Sequence, residues 1–236
     1  MARIARLVYV MIVIMMGMVV IIDGGDTNGV YDPCSDAKIR KSEGFTFGIA
    51  FSTKESFFFN QTQLSPCDKR LVLTEAKLAV FRPKVDEMSL LSINTTTGGG
   101  HLAGHMVAFA GRKYAARSTP VFVSDSANIV TSFTLVLEFQ KGTLQNLFWK
   151  SSGCDSCSGK FVCLNQTDCA VPLSNCKSQG GDIDCTLSIQ LAFSGTDAEY
   201  AVLNSWYEVK NLRQYSLYNL FSDFKDSLTN PFSGLF

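Results

Sequence analysis

The chain has 236 residues, 21 basic and 21 acidic side chains, and eight cysteines. That length suits one large domain or two small ones, and 46% hydrophobic with 18% charged residues excludes an intrinsically disordered chain. The balanced charge excludes a broad electrostatic footprint for nucleic acid or for anionic membrane surfaces.

Arg3 and Arg6 make a basic start, and residues 7–22 follow as an uncharged apolar run interrupted only by Gly17. Asp23, Gly24, Gly25 and Asp26 end it. This order reads as a secretory signal peptide over residues 1–25. Sixteen helical residues would reach about 24 Å, short of a ~30 Å hydrocarbon core. An uncleaved membrane anchor is the alternative, because small residues at a cleavage position appear only at Gly24 and Gly25. No second long apolar run follows, so export is expected to end outside the cell or on its surface.

Period-two patterns come next. Phe45, Phe47, Ile49 and Phe51 alternate with Thr46, Gly48, Ala50 and Ser52. Phe133, Leu135, Leu137 and Phe139 repeat the pattern, and residues 183–193 carry it again from Ile183 to Phe193. Such alternation predicts half-buried strands. Weaker strand signals cover residues 55–60, 70–81, 88–93, 105–111, 120–124, 147–150 and 199–203. Phe57, Phe58 and Phe59 put phenylalanine on both faces of one such segment, which favours burial. About ten strands with little helical periodicity predict a mostly β chain, an antiparallel β-sandwich spanning residues 26–236 as a single domain. One C-terminal helix is predicted from Val209, Leu212, Leu217, Leu220, Phe221, Phe224 and Leu228, packed on the sandwich or over an edge.

Six cysteines fall between residues 153 and 185, a stretch rich in Gly, Ser, Asn and Asp that reads as a disulfide-rich insertion between strands. In an exported chain an even count implies disulfides among Cys34, Cys67, Cys154, Cys157, Cys163, Cys169, Cys176 and Cys185. Crosslinks there replace a core, each contributing roughly 2–4 kcal/mol. Cys34 and Cys67 stand apart and are expected to pair with each other, although eight cysteines allow 105 connectivities. The C-x-x-C of Cys154 and Cys157 lies in a cysteine-crowded loop, unlike a thioredoxin motif, and lacks a second close pair for zinc. Three sequons, at Asn60, Asn94 and Asn165, are expected surface glycan acceptors.

No catalytic, cofactor-binding or metal residue emerges. His101 and His105 are four apart, but Gly98 to Gly100 and Gly104 oppose a helix, and no third histidine exists. No nucleophile elbow is present. Paired carboxylates for a glycan-acting hydrolase, the alternative function, reduce to Asp182 with Asp184 and Asp86 with Glu87. A binding module would use stacking aromatics, for which Tyr114, Trp149, Trp206 and Tyr207 are candidates. Of 27 aromatic residues, 18 are Phe, which favours core over platform.

The strings Tyr31-Asp32-Pro33-Cys34-Ser35-Asp36 and Lys41-Ser42-Glu43-Gly44-Phe45-Thr46-Phe47-Gly48-Ile49-Ala50-Phe51 resemble a group of land-plant secreted proteins known as Expp precursors. Leu64-Ser65-Pro66-Cys67-Asp68 and the cysteine cluster fit the same group. The resemblance implies a cell-wall or apoplastic location and carries no reaction. The expectation is therefore a secreted, N-glycosylated, disulfide-bonded, non-catalytic binding or structural module. Its expected partner is cell-wall polysaccharide or another extracellular protein, with no cofactor and no nucleic acid. A membrane is involved only if the N-terminal helix is retained, giving a cell-surface interaction protein.

Overall fold

The alternating segments near residue 45 and residue 133 anchor two different sheets. The computed structural model describes residues 26–73, 75–94, 104–112, 116–150, 153–154, 157 and 159–206. The strands are β1 (Phe47–Ser52), β2 (Phe58–Phe59), β3 (Thr62–Gln63), β4 (Lys77–Phe81), β5 (Ser89–Ile93), β6 (Gly104–Phe109) and β7 (Val121–Ser124). They continue as β8 (Asn128–Val130), β9 (Ser132–Gln140), β10 (Thr143–Lys150), β11 (Val162–Leu164), β12 (Asp168–Pro172), β13 (Leu187–Thr196) and β14 (Val202–Leu203). A seven-stranded sheet runs β11-β12-β8-β7-β6-β1-β4; a five-stranded sheet runs β10-β9-β13-β14, with β5 also pairing β13. The hairpin of β2 and β3 stands by itself. The protein is thus mostly β, as its alternation predicts.

Both sheets feed one apolar cluster. Phe47, Ile49 and Phe51 of β1 and Met106 of β6 meet Leu135, Leu137 and Phe139 of β9 and Ile189, Leu191 and Phe193 of β13. A fully buried side chain of this size contributes about 1.5–3 kcal/mol. Phe45 meets Phe139 edge-to-face at 5.1 Å, and Phe139 stacks on Phe193 at 6.3 Å.

The expectation of one wet face fails at β1, where all six residues are buried. The second face carries Gly48 and Ala50, and their small size admits a cover. Ala50, Val107 and Phe109 pack under Phe57, flanked by Phe58, Leu73 and the Cys34 and Cys67 sulfurs. A Cβ on Gly48 would lie 2.3 Å from the Phe109 ring.

Purely antiparallel pairing is also corrected. β13 runs parallel to β9, from Ser188 opposite Ser132 to Gly195 opposite Phe139. Parallel neighbours require a long crossover. Here the chain leaves through β10, visits the far edge of the seven-stranded sheet as β11 and β12, and returns. The cysteine-rich stretch therefore extends a sheet, since β12 pairs β8.

Several strand boundaries shift. Residues 55–57 form a 3-10 turn, leaving only Phe58–Phe59 extended. Strand structure in 70–81 is confined to Lys77–Phe81, and in 199–203 to Val202–Leu203. Strand β13 begins at Leu187, not Ile183, because Cys185 is tied back to Cys176 and Ile183 bridges Cys176. The predicted C-terminal helix, the signal segment 1–25 and the loop 95–100 lie outside the described residues.

Candidate functional site

All eight cysteines are paired. Cys34 joins Cys67, Cys154 joins Cys163, Cys157 joins Cys169 and Cys176 joins Cys185, with Cα–Cα distances of 5.4 to 5.5 Å. No free cysteine remains. The C-x-x-C pair is split between two different partners, so those thiols form neither a redox pair nor a ligand pair. Cys176 and Cys185 also seat a small core with Ile129 and Val171, flanked by Phe161, Leu173 and Ile183.

The Cys34–Cys67 bridge forms one wall of an open groove of about 860 Å³. Its lining comes from four stretches far apart in sequence: Cys34, residues 62–65 of the hairpin, residues 67–70, and Arg112 with Arg117. The hairpin is pinned to the seven-stranded sheet through Ser118. Gln63 Nε2 donates to Ser118 O at 2.6 Å, and Ala108 N donates to Ser118 Oγ at 2.9 Å. Within the second wall, Asp68 N donates to Ser65 O at 2.8 Å and Cys67 N to Ser65 Oγ at 3.3 Å.

The groove is cationic. Lys69, Arg70, Arg112 and Arg117 line it against one acid, Asp68. Arg70 grips Asp68 with Nε at 2.9 Å and Nη2 at 2.7 Å. The Arg70 side chain and then its backbone N–H hold the Asp68 carboxyl down at about 2. Lys69 and Arg112 take part in no ion pair among the described residues. The guanidinium carbon of Arg70 also sits 5.8 Å from the ring centroid of Phe59, which is 42% exposed. Polar groups from Thr62, Gln63 and Ser65 and an excess of positive charge thus line one open surface, with the Phe59 ring against its Arg70.

The candidate stacking residues have other duties. Trp149 turns inward, edge-to-face on Phe133 at 5.7 Å, and its Nε1 has no hydrogen-bond partner among the described residues. Trp206 packs with Phe148 on Val136 and Ala192. Tyr114 and Tyr207 lie outside the described residues. Among the described residues the exposed aromatics are instead Tyr31, Tyr200 and Phe59, and each faces a cation: Arg82 at 4.1 Å, Lys141 at 5.4 Å and Arg70 at 5.8 Å. Sequence reasoning passed over Phe59 because the triple phenylalanine reads as core; Phe57 is indeed buried, Phe58 half-buried.

The candidate carboxylates are each engaged. Asp182 pairs with Lys160, and Asp184 accepts the Thr186 N–H at 2.9 Å. Both titrate below the usual carboxylate range, Asp182 through Lys160 and Asp184 through Thr186. A general acid needs the opposite shift. Asp86 is buried beneath Lys41, and Glu87 lies 3.6 Å from Lys84. His105 lies on β6 against Phe122 at 5.9 Å, and burial, then Lys54, lowers its pKa. His101 lies outside the described residues. No group of three metal-ligating side chains occurs among the described residues.

Asn60 and Asn165 occupy the tips of two hairpins with the same tripeptide, Asn-Gln-Thr. Asn60 and Gln61 have φ of 47° and 65°, and Asn165 and Gln166 have 50° and 60°. Positive φ at two successive residues is the backbone of a tight hairpin turn, where Asn is favoured. Asn60, Asn94 and Asn165 are all exposed.

These features define a disulfide-bonded, mostly β protein with a cationic groove. Its chain matches the family described as uncharacterised protein DDB_G0273449 over residues 4–127 and 113–228, and it belongs to that family. No curated protein and no solved structure matches it.

Proposed function

We propose that the protein is an exported β-sandwich that acts outside the cell as a non-catalytic binding or structural module. The observation that carries this reading is the complete pairing of eight cysteines into four disulfides, an economy suited to an oxidising compartment. Two sheets contributing to one apolar cluster support the sandwich. Among the described residues no helix is long and apolar enough to cross a membrane. Asn60, Asn94 and Asn165 are the glycan acceptors in this reading, and their exposure supports it. The likeness to Expp precursors adds a plant wall or apoplast as the place of action. The cationic groove is the binding face, open to polysaccharide or to another extracellular protein.

The first 25 residues are removed in this reading, and Asp26 begins the mature chain. Support comes from how firmly the next residues are held. Arg82 reaches Asp26 Oδ2 at 2.7 Å and Val30 O at 2.6 Å, and Gly44 N donates to Asp26 Oδ1 at 3.0 Å.

The test is expression of the full chain in a secretory host. Recovery from the medium, an intact mass starting near residue 26, no titratable thiol and a mass loss on enzymatic deglycosylation are expected. A cytosolic, unglycosylated product with free thiols overturns the reading. Retention in the membrane fraction with residues 1–25 present selects the anchored cell-surface form instead. Pull-down of wall or matrix fractions by the purified protein tests binding itself.

A further inference from the structure

We propose that the groove beside the Cys34–Cys67 disulfide is a binding site for an acidic polysaccharide chain. The inference rests on the reading of the protein as an extracellular binding module and names the ligand class. Four cations line one open surface against a single carboxylate, and that carboxylate is already neutralised by Arg70. Lys69 and Arg112 are exposed lining residues that form no contact ion pair among the described residues, although Arg112 also acts electrostatically on Asp32. A carboxylate or sulfate group on a sugar supplies the complement, and Arg forks suit either anion.

Three further features favour a sugar chain over an acidic peptide. The Phe59 ring, 42% exposed with the Arg70 guanidinium 5.8 Å from its centroid, adds apolar surface beside the groove against which a pyranose ring can pack. Thr62, Gln63 and Ser65 place hydroxyl and amide groups along the wall, where sugar hydroxyls need partners. The groove is open to solvent, so a chain can enter it from the side without having to present an end. Its walls are preset by the disulfide and by the Gln63 bond to Ser118, which lowers the ordering cost of binding.

The experiment uses the exported full-length product in affinity electrophoresis against polygalacturonate, dextran sulfate, unsubstituted dextran and polyglutamate. Retention by polygalacturonate, by dextran sulfate or by both, weakening as salt rises, is expected; which of the two retards the protein identifies the anion. The double variant Lys69→Glu with Arg112→Glu is expected to bind at least tenfold more weakly. Lys38→Glu with Lys150→Glu, away from the groove, should bind as the parent does. Lys69→Gln with Arg112→Gln gives a milder loss and guards against misfolding, with an unchanged urea midpoint as the check.

Equal retention by unsubstituted dextran, equal retention by polyglutamate, or acidic-chain binding that survives the Lys69 and Arg112 reversal overturns the assignment. So does no retention of folded protein by either acidic polysaccharide. None of these results touches the extracellular reading, which the secretion, thiol and pull-down measurements decide separately.

Discussion

Lys41 Nζ lies 2.8 Å from Oδ2 of Asp86, whose side chain is only 1% exposed. The other Asp86 oxygen accepts the backbone N–H groups of Asn204 and Ser205, each at 2.8 Å. Asp86 itself sits at φ 65°, a conformation that Asn tolerates and Ala does not. Ser205 Oγ in turn accepts the Phe193 N–H at 2.8 Å. One carboxylate thus fixes the segment after β14 against β13. Replacing Asp86→Ala leaves two N–H groups without an acceptor and is expected to cost about 2–4 kcal/mol. Asp86→Asn keeps an acceptor and the backbone conformation, and is expected to cost about half as much. Urea unfolding of both variants checks the order; equal stabilities would remove this role from Asp86.

Strands β9 and β10 are joined by Lys141 and Gly142, with φ of 52° and 75°. A Cβ on Gly142 would lie 2.6 Å from Ile39 O and 2.8 Å from Ala198 N. Backbone is on both sides, so nothing yields easily. Gly142 also accepts the Ile39 N–H at 2.9 Å and donates to Thr196 O at 3.0 Å. Gly142→Ala is expected to destabilise by about 1–3 kcal/mol, read as a lower urea midpoint at constant slope. Lys141→Gly, which relieves a positive φ, should be neutral or slightly stabilising.

The Cys34–Cys67 bridge closes 33 residues, and the Cys176–Cys185 bridge closes 9. Chain-entropy arithmetic assigns them roughly 3.7 and 2.6 kcal/mol. Removing both sulfurs of the longer loop as Ala pairs is therefore expected to cost about 1 kcal/mol more than removing those of the shorter one. Guanidinium unfolding of the two double variants measures this. The longer loop also forms the groove wall, so its variant should bind groove ligands more weakly even where it remains folded.

Acid is expected to destabilise the fold. For Asp26, burial raises the pKa, but bonds from Arg82 and Gly44 outweigh it and lower the value. Backbone N–H groups of Asn128 and Ala127 lower Asp125, and the backbone N–H and then the hydroxyl of Thr186 lower Asp184. Folded values below unfolded ones mean stability is full above the unfolded carboxylate range near pH 4 and is lost as pH falls through the folded values. His105 acts in the same direction but earlier. Its folded pKa is lowered, so its contribution is present above about pH 6.5 and declines below it. Urea midpoints from pH 7 to pH 3 should fall in two stages, and His105→Gln should flatten only the upper one. A midpoint that rises on acidification would contradict the sign.

Much of the fold was legible in the residue pattern. Phe133 to Phe139 alternates strictly and is β9; Phe47 to Phe51 alternates and is β1. Period two identifies the face of a strand but not its neighbours. It also could not show that Gly48 and Ala50 face a second cover, because small residues read alike on a wet face and under a close-packed ring. The stretch from 70 to 76 carries strand-like residues, yet the disulfide at Cys67 and the turn at Asp68 hold its start in a loop.

The sequence by itself determined the class: a β-rich chain with an apolar N-terminal run, an even set of cysteines and three N-x-T sequons. Local alternation and composition suffice for that, because they reflect burial and chemistry residue by residue. Only the tertiary structure decided that β13 lies parallel to β9, which cysteine meets which, and that Lys69, Arg70 and Arg112 share a groove, with Phe59 against Arg70. Each of those depends on contacts between residues tens of positions apart, set by the competition among all possible pairings for one core, and no local pattern records the winner.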